Sequence, residues 1–182
     1  MTHKNFETKK IRSFDKSFDS IVSYQIPEKY KELENLNLNS AIASGSNLSY
    51  PALGLSKNSS SIFMKKFNRI LNFDKKASEV TVESGIKISE LLNFLLPHGL
   101  WIPQLPGYPF ISLGGAVATN AHGKSCGLHG AIRKSVKEIL LFHSTNGWLK
   151  LSEKSNKEIF DLTIGGLGLT GIIVNIKLDL SK

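Results

Sequence analysis

The 182-residue sequence predicts an α+β fold. Strand-like and helix-like segments are intermixed along the chain, one segment has the spacing of an amphipathic helix, and a turn signal joins two neighbouring strands into a hairpin. Hydrophobic residues make up 41% of the chain and charged residues 21%, an ordinary balance for a globular protein. This composition excludes collagen-like, coiled-coil and disordered chains, and the length allows a sizeable core.

The first half of the chain is weakly patterned. Residues 1–20 have no hydrophobic periodicity, and we expect them to form a partly ordered lead-in. The segment EKYKELENL, which follows Pro27, indicates a short polar helix. Short apolar runs predict strands at three further places: 41–43, 62–64 and 70–73. A fourth strand is expected at 79–83, where two valines alternate with polar residues.

The clearest helix signal lies between residues 88 and 96. Its apolar residues recur at the spacing of one buried helical face, namely Ile88, Leu91, Leu92, Leu95 and Leu96. Pro97 and Gly99 end this helix. The segment WIPQLPGYPF has three prolines in ten residues and predicts an extended loop. The small-residue segment SLGGAVATNAHG predicts a short, tightly packed helix.

The last third of the chain predicts a hairpin, a helix and a final strand. Strands are expected at 138–143 and 148–151, joined by a type I′ turn at Asn146-Gly147. A short helix follows at 157–162, and hydrophobic and polar residues alternate over 174–180. We therefore expect a half-buried strand near the end of the chain.

The formal net charge is +8, from 23 basic and 15 acidic side chains, and the excess lies in the first 76 residues. Only three of the basic residues are arginines, and no predicted helix has a basic stripe, so nucleic acid is not expected as a partner. Two interpretations remain open, a lysine-rich solvated surface and a site for an anionic ligand such as a phosphate-bearing cofactor.

The sequence has neither the pattern of a secretory signal nor that of a transmembrane segment. The N-terminal residues lack an apolar stretch, and no apolar run approaches the roughly 18 residues that a membrane span requires. Cys126 is the only cysteine, which excludes an internal disulfide and fits a reducing compartment. A cytoplasmic location is the expectation.

Three glycine-rich segments are the strongest functional signal, and they lie at 44–50, 105–124 and 165–171. Glycine allows backbone amides to approach an anion closely, and serine hydroxyls add donors. A helix that begins near Ser112 is expected to direct free amides and its positive end at a phosphate. Three such segments in one small chain predict that they converge on a single large, phosphate-bearing ligand.

Two other motifs are weaker signals of function. Gly166, Gly168 and Gly171 spell G-x-G-x-x-G, but a predicted helix precedes them and a strand follows, which is the reverse of a Rossmann motif. His122, Cys126 and His129 contain zinc-ligand types, but a structural site needs a fourth ligand and no second cysteine exists. No metal is expected, and His122 is interpreted as a hydrogen-bond donor beside a bound ligand.

The segment GLWIPQLPGYPFISLGGAVATNAHGKSCGLHG, followed by GGLGLTGIIVNIKL, resembles the PCMH-type FAD-binding domain of the vanillyl-alcohol-oxidase superfamily. Within that superfamily the motifs are similar to the branch of decaprenylphosphoryl-β-D-ribose oxidases. The resemblance covers about residues 40–178. It implies two α+β subdomains, about 21–76 and 77–182, with noncovalent FAD between them.

The resemblance also implies which residues contact FAD. The first-loop residues are Ala43, Ser44, Gly45, Ser46, Asn47, Leu48, Ser49 and Tyr50. The second-loop residues are Gly107, Tyr108, Ser112, Leu113, Gly114 and Gly115. The remaining contacts are Thr119, Asn120, His122, Gly171, Ile172 and Ile173. His122 and Lys124 are the two matches to residues that act near the substrate, and they are the expected catalytic residues.

The activity implied by the resemblance is oxidation of a sugar-type alcohol, of the lipid-linked ribose or sugar-lactone class, by hydride transfer to flavin N5. Relatives continue into a substrate domain, which the resemblance implies is absent from this chain. Two alternatives remain open. One is a non-catalytic or split FAD-holding module that needs a second polypeptide. The other is a MurB-type reductase of cell-wall precursors.

The mode of FAD attachment can be tested at once. Some relatives bond flavin covalently through a histidine at the position of Leu48, and leucine cannot form that bond. We expect purified protein to be yellow with FAD and to release all of its flavin on acid precipitation. Flavin absorbance that stays in the washed protein pellet would contradict noncovalent attachment.

Overall fold

Two β-sheets, five α-helices and three short 3₁₀-helices lie in the described part of the chain. The computed structural model describes residues 7–17, 19–36, 38, 40–49, 53–55, 60–124 and 126–182. The strands are β1 (Glu7–Arg12), β2 (Asp19–Gln25), β3 (Ala41–Ser44), β4 (Ser60–Phe63), β5 (Ile70–Asp74), β6 (Glu79–Glu83), β7 (Val136–His143), β8 (Gly147–Ser152) and β9 (Ile172–Asp179). The helices are α1 (Tyr30–Glu34), α2 (Ile88–Leu95), α3 (Leu113–Ala118), α4 (Cys126–His129) and α5 (Lys157–Thr163). The predicted α+β class is confirmed, and among the described residues no helix has the length and apolarity to cross a membrane.

The first sheet has the strand order β1-β2-β4-β3. Strands β1 and β2 are antiparallel, whereas β4 pairs in parallel with both β2 and β3. The expected lead-in over residues 1–20 instead contains β1 and the first two residues of β2, where the sequence pattern predicts no strand. Strand β1 is an edge strand whose residues are exposed except for the half-buried Ile11, so it lacks the hydrophobic alternation that reveals a strand.

The second sheet has the order β5-β6-β9-β7-β8, and every pairing in it is antiparallel. Its main core combines strand residues with the apolar faces of α2, α3 and α5. The buried helix residues include Ile88, Leu91, Leu95, Leu113, Ala116, Val117 and Phe160. The strong helical spacing of 88–96 is therefore explained by burial of one face against this sheet.

The β7–β8 hairpin has a different turn from the predicted one. A type I′ turn needs positive φ at both central residues, but of Asn146 and Gly147 only the glycine has it, at +67°. His143 pairs with Gly147, which leaves a three-residue loop, and the His143 Nδ1 accepts hydrogen bonds from the amides of Thr145 and Asn146. The predicted type I′ turn is wrong because the histidine side chain caps a longer loop.

Strand β9 changes face at a β-bulge. Leu140 of β7 pairs with Asn175 and the next residue, Leu141, pairs with Ile173, so that Val174 is the extra residue. Ile172 and the bulge residue Val174 pack in a second core with residues of the first sheet and α1. After the bulge, the strand contributes to the core beneath α2 and α3. One strand thus serves both cores.

A buried carboxylate connects α1 with the second sheet. Glu83 at the end of β6 is fully buried, and its carboxylate accepts hydrogen bonds from Arg69 Nη2 (2.7 Å) and the Arg69 amide (2.8 Å). The Tyr30 hydroxyl of α1 lies 3.0 Å from Glu83 Oε1 and 2.8 Å from Asn175 Oδ1. Burial alone would raise the pKa of Glu83, but the bonds from Arg69 and Tyr30 outweigh it and hold the pKa below its ordinary value.

We expect Glu83→Gln to lower the free energy of unfolding at pH 7 by about 3 kcal/mol, since it removes one partner of a buried pair. Because the folded-state pKa is lowered, the ionic contribution is present above the unfolded pKa of roughly 4.3 and is lost as pH falls through the folded-state value. The difference between wild type and variant should therefore shrink below about pH 4. Urea unfolding from pH 7 to pH 3 measures it.

The control is Glu158→Gln, which neutralises an exposed glutamate on α5. That variant should change stability by less than about 0.5 kcal/mol at every pH. Equal stability of Glu83→Gln and wild type at pH 7 would contradict the assigned role of the carboxylate.

Candidate functional site

Helix α3 lies at the centre of the candidate site, but its N-terminal amides are not free. Leu113 N–H donates to the carbonyl oxygen of Ile86 (2.8 Å) and Gly114 N–H to that of Ser84 (2.7 Å). The Gly115 amide donates to the Ser112 hydroxyl at 3.3 Å. The expectation of several free amides aimed at a phosphate is wrong, because the β6–α2 connection occupies them. Only Gly115, with a long bond to its own cap, retains capacity for a ligand.

The first loop packs directly on the cap of α3. A β-carbon on Gly45 would overlap the Ser112 hydroxyl oxygen and lie 3.1 Å from Ser112 Cβ, so only glycine permits this approach. The Ser44 hydroxyl donates to Asn47 Oδ1, and Asn47 has a positive φ of +54°. These local features fold the loop tightly over the second glycine-rich segment.

The third loop packs on the other end of α3. Gly165 N–H donates to the carbonyl of Val117 (3.0 Å), and Leu167 N–H donates to that of Ala118 (2.9 Å). Gly168 lies against Ile42 of the first sheet. The order of helix, glycine segment and strand around 165–171 is as predicted, so this is not a Rossmann turn. The structure therefore brings all three glycine-rich segments together at α3.

The two adjacent glycines of α3 have different surroundings. A β-carbon on Gly114 would lie 2.8 Å from Ser84 Cβ and 2.9 Å from the Ser84 carbonyl oxygen. A β-carbon on Gly115 would meet only the Ser112 hydroxyl, at 3.1 Å. Gly114 therefore serves close packing of the helix on the chain beneath it, whereas Gly115 lies on the open side.

The remaining site candidates differ in how they can reach a ligand. Leu113 is fully buried and Ile173 is almost so, which limits Ile173 to a backbone contact. Tyr108 is 48% exposed and packs beside Phe14 and Phe110, and Gly107 is exposed as well. Tyr50 lies outside the described residues. The partly exposed members are Ala43, Ser46, Leu48, Ser49, Gly171 and Asn120.

The segment after α3 presents the two expected catalytic residues. The Thr119 hydroxyl donates to the carbonyl of Gly115 (2.9 Å), and Asn120, with φ of +46°, accepts a hydrogen bond from the Arg133 amide (3.3 Å). His122 and Lys124 follow and are both exposed. Within the described ranges neither side chain has a hydrogen bond or ion pair, so both are available to a ligand.

Three residues that support this segment were missed by sequence reasoning. The Gln104 amide donates to the carbonyl of His129 (2.9 Å), and the buried Ser135 hydroxyl donates to Gln104 Oε1 (2.6 Å). Arg133 pairs with Glu153 and Asp161 of neighbouring elements. Burial would lower the pKa of Arg133, but the bonds to those carboxylates outweigh it and raise the pKa. No local motif in the sequence predicts these contacts, because the partners in each contact are distant in sequence.

Two cavities lie beside the first and third glycine-rich loops. A cavity of about 610 Å³ lies beside the first loop and includes Gly45, Ser46 and Asn47 in its lining. Its other walls come from β1, β2, β4 and the start of α2, and five basic residues contribute, namely Lys9, Lys10, Arg12, Lys65 and Lys87. A smaller hollow of about 110 Å³ beside the third loop includes Ala43, Gly171 and Ile172. The basic excess of the first 76 residues was the only sequence signal for the larger cavity.

No group of three or more His, Cys, Asp or Glu side chains in the described ranges is arranged to hold a metal ion. Cys126 is exposed and unbonded. His122, Cys126 and His129 therefore provide no candidate metal site in this structure.

Comparison with known proteins identifies a family over a range that includes the first two glycine-rich segments. The sequence profile of the family described as FAD binding domain matches residues 37–152. Decaprenylphosphoryl-beta-D-ribose oxidase of Mycolicibacterium smegmatis is 33% identical over 121 residues, which are 66% of this chain and 26% of that protein. L-gulonolactone oxidase of Mus musculus is 32% identical over 118 residues, 65% of this chain and 27% of that protein.

The fold is also found in a solved structure. An alkyldihydroxyacetonephosphate synthase superposes with a TM-score of 0.78 at 22% sequence identity, over 91% of this chain and 33% of that one. At this identity the likeness shows the fold. The chain spans about a quarter of the length of the two curated relatives that it matches.

The residues around α3 have the chemistry that FAD requires. Gly45, Gly115 and the third loop form a backbone-rich surface where α3 has no bulky side chain on its open side. Serine, threonine and asparagine side chains surround that surface, and such donors suit a diphosphate and a ribityl chain. Leucine cannot bond covalently to a flavin, so noncovalent attachment, which the resemblance implies from Leu48, stays a prediction.

The contrast between Gly114 and Gly115 provides a matched pair of variants. Gly115→Ala should leave the stability of the apo-protein unchanged or higher, since alanine favours a helix by about 1 kcal/mol over glycine. Its affinity for FAD should fall about tenfold or more, because the β-carbon occupies the ligand side. Gly114→Ala should instead lower stability by about 1–3 kcal/mol through overpacking against Ser84.

Thermal unfolding of the apo-proteins and fluorescence titration with FAD separate the two effects. If Gly115→Ala binds FAD as tightly as wild type, the open face of α3 is not part of the cofactor site. If both variants lose stability equally, the two glycines share a packing role.

Proposed function

Because the chain belongs to the FAD binding domain family, we propose that it is the cofactor-holding part of an oxidoreductase that oxidises a sugar-type alcohol. The family membership confirms the predicted cofactor, FAD, and the predicted PCMH-type fold class. The names of the two curated relatives support two substrate classes, lipid-linked ribose and sugar lactone. The observation that carries the proposal is the meeting of three glycine-rich segments at α3, which provides one continuous surface for a long cofactor.

The first loop and α3 hold the cofactor in this proposal. Ser46, Asn47 and Ser49 offer hydroxyl, amide and backbone donors in the loop that packs through Gly45 on the Ser112 cap of α3. When bound, FAD supplies a two-electron acceptor for the hydride of the alcohol carbon. Gly171 and Ile172, at the start of β9, extend the same surface beyond the third loop.

His122 and Lys124 are the residues of this chain assigned to the substrate side. A neutral imidazole accepts or donates a hydrogen bond, so His122 can orient an alcohol hydroxyl or receive its proton. The Lys124 ammonium forms no ion pair with the described residues, so it is available to hold an anionic group of the ligand. Asn120, Arg133 and Gln104 act as positioning residues, since they fix the backbone on either side.

The groups that orient the substrate carbon are proposed to lie outside these 182 residues. The chain covers 26% of the mycobacterial relative, and the family match over residues 37–152 contains the first and second loops. We infer that a further domain or a partner polypeptide completes the substrate side. The same coverage favours one second candidate, an FAD-holding module that has no turnover of its own until a second chain joins it.

The isolated chain is expected to bind FAD without oxidising a sugar alcohol. Positioning of the two reactants is worth about 7–11 kcal/mol of barrier, and this chain has only two candidate residues on the substrate side. After anaerobic mixing with an aldonolactone or lipid-linked ribose, the oxidised flavin band should stay unchanged for hours. Stopped-flow absorbance followed by long recording measures it.

Chemical reduction with dithionite is the control and should bleach the flavin fully. Rapid bleaching by either substrate would contradict the need for groups outside this chain. Bleaching only after a second polypeptide is added would favour the split enzyme over the non-catalytic module. Failure to bind FAD at any attainable concentration would overturn the proposed function itself.

A further inference from the structure

The cavity of about 610 Å³ has chemistry that the FAD loops do not explain. Of the expected FAD contacts, its lining includes Gly45, Ser46 and Asn47 from the first loop but none from the second or third segment. A cofactor that follows α3 from Ser112 to the third loop therefore runs along a different side of the first loop. The volume lies within the range of 300–1,000 Å³ that is typical of small-molecule sites.

One wall of the cavity is an apolar and aromatic sheet face. In the register of β1 and β2, Glu7 pairs with Tyr24, Lys9 with Val22 and Ile11 with Ser20. Strand alternation places these six residues on one face. The ring of Tyr24 lies 5.4 Å from that of Phe63, and both line the cavity together with Ile11 and Ile26. The wall therefore suits an aromatic or aliphatic group.

The same alternation decides which cations point into the cavity. Lys9 lies on the face of Tyr24. Lys10 and Arg12 also contribute to the cavity lining, but strand alternation places them on the opposite face, where Lys10 pairs with Asp19 at 3.4 Å. Lys65 lies two residues after Phe63, in the short helical turn Met64–Lys66 that follows β4, and it lines the cavity. Within the described part of the chain, neither Lys9 nor Lys65 forms an ion pair or side-chain hydrogen bond.

The acidic side of the cavity is already neutralised. Glu90 is the one carboxylate among the lining residues, and it lies 3.8 Å from the Lys87 ammonium and accepts the Lys87 amide at 3.1 Å. Glu7, on the same face as Lys9, accepts a hydrogen bond from the Tyr24 hydroxyl at 2.6 Å. Lys9 and Lys65 form no ion pair with the described residues, and they lie beside Tyr24 and Phe63 and a glycine-serine loop that adds donors. That combination recognises a phosphate joined to an apolar group.

We propose that this cavity is a second ligand site, adjacent to FAD, that binds a phosphate ester through Lys9 and Lys65 and holds its apolar part against Tyr24 and Phe63. The proposal rests on the proposed function for the position of FAD along α3. It narrows the substrate class, because an uncharged lactone has no group for these lysines. The site takes a phosphate-bearing ligand, and the first loop lies between it and the cofactor.

The test is calorimetric titration of the FAD-saturated chain with phenyl phosphate and with pyrophosphate, and with benzyl alcohol as the uncharged comparison. Wild type should bind phenyl phosphate with affinity that falls as salt rises, and should not bind benzyl alcohol. The double variant Lys9→Gln/Lys65→Gln should bind it about tenfold or more weakly, with an FAD dissociation constant within about twofold of wild type.

The matched control is Lys75→Gln/Lys154→Gln, which removes the same charge from two exposed lysines in the β5–β6 turn and the β8–α5 connection. This control variant should bind phenyl phosphate and FAD with the affinities of wild type. An equal loss in the control would overturn the site in favour of a general charge effect. No binding of either phosphate compound up to about 10 mM would also overturn it.

Competition between phenyl phosphate and FAD shows whether the two lysines bind a separate phosphate ester or the diphosphate of FAD. If phenyl phosphate displaces FAD, or if the double variant loses FAD affinity in parallel, the lysines hold the diphosphate of FAD itself and the second site is wrong. If the chain does not bind FAD, the proposed function fails, and the same titrations are made on the apo-protein. Lysine-dependent phenyl phosphate binding there would still support the site, and its absence would overturn it.

Discussion

The whole arrangement depends on a six-residue helix that has no independent stability. A helix of this length does not form alone in water, so α3 exists because its surroundings hold it. Leu113, Ala116 and Val117 bury its apolar face in the core of the second sheet, and the carbonyls of Ser84 and Ile86 bind its first amides. The first loop packs on its cap and the third loop on its last carbonyls. Its glycines permit these close approaches from several sides, and a single added methyl group at Gly114 has no space.

The charged and titratable side chains include some that stabilise the fold and others that are available to a ligand. Glu83 is buried but satisfied by Arg69 and Tyr30, and it therefore joins α1 to the second sheet without leaving an uncompensated charge. His122 and Lys124, by contrast, are exposed and have no partner within the described ranges. Glu83 is therefore a structural charge, whereas His122 and Lys124 keep their hydrogen-bonding capacity for a ligand.

Local patterns were enough to predict much of the fold. The spacing of Ile88, Leu91 and Leu95 identified α2, and glycine-rich composition identified the three segments that meet at α3. What remained hidden depends on partners distant in sequence. The amides after Ser112 are occupied by Ser84 and Ile86, which no local motif reports, and β1 is an exposed edge strand without hydrophobic alternation. The basic cavity combines Lys9 with Lys65 from different strands, so only the excess of positive charge in the first part of the chain hinted at it.

The bulge at Val174 has a consequence for how the protein loses its structure. Because β9 contributes Ile172 and Val174 to one core and Ile176 and Leu178 to the other, neither core can open while the other keeps its full set of contacts. The two sheets are thereby joined into one cooperative unit, and partial unfolding that frees only the first sheet requires the start of β9 to detach. Slow amide exchange should accordingly spread across both sheets instead of stopping at the boundary between them. A ligand that spans that boundary then contacts a single cooperative unit.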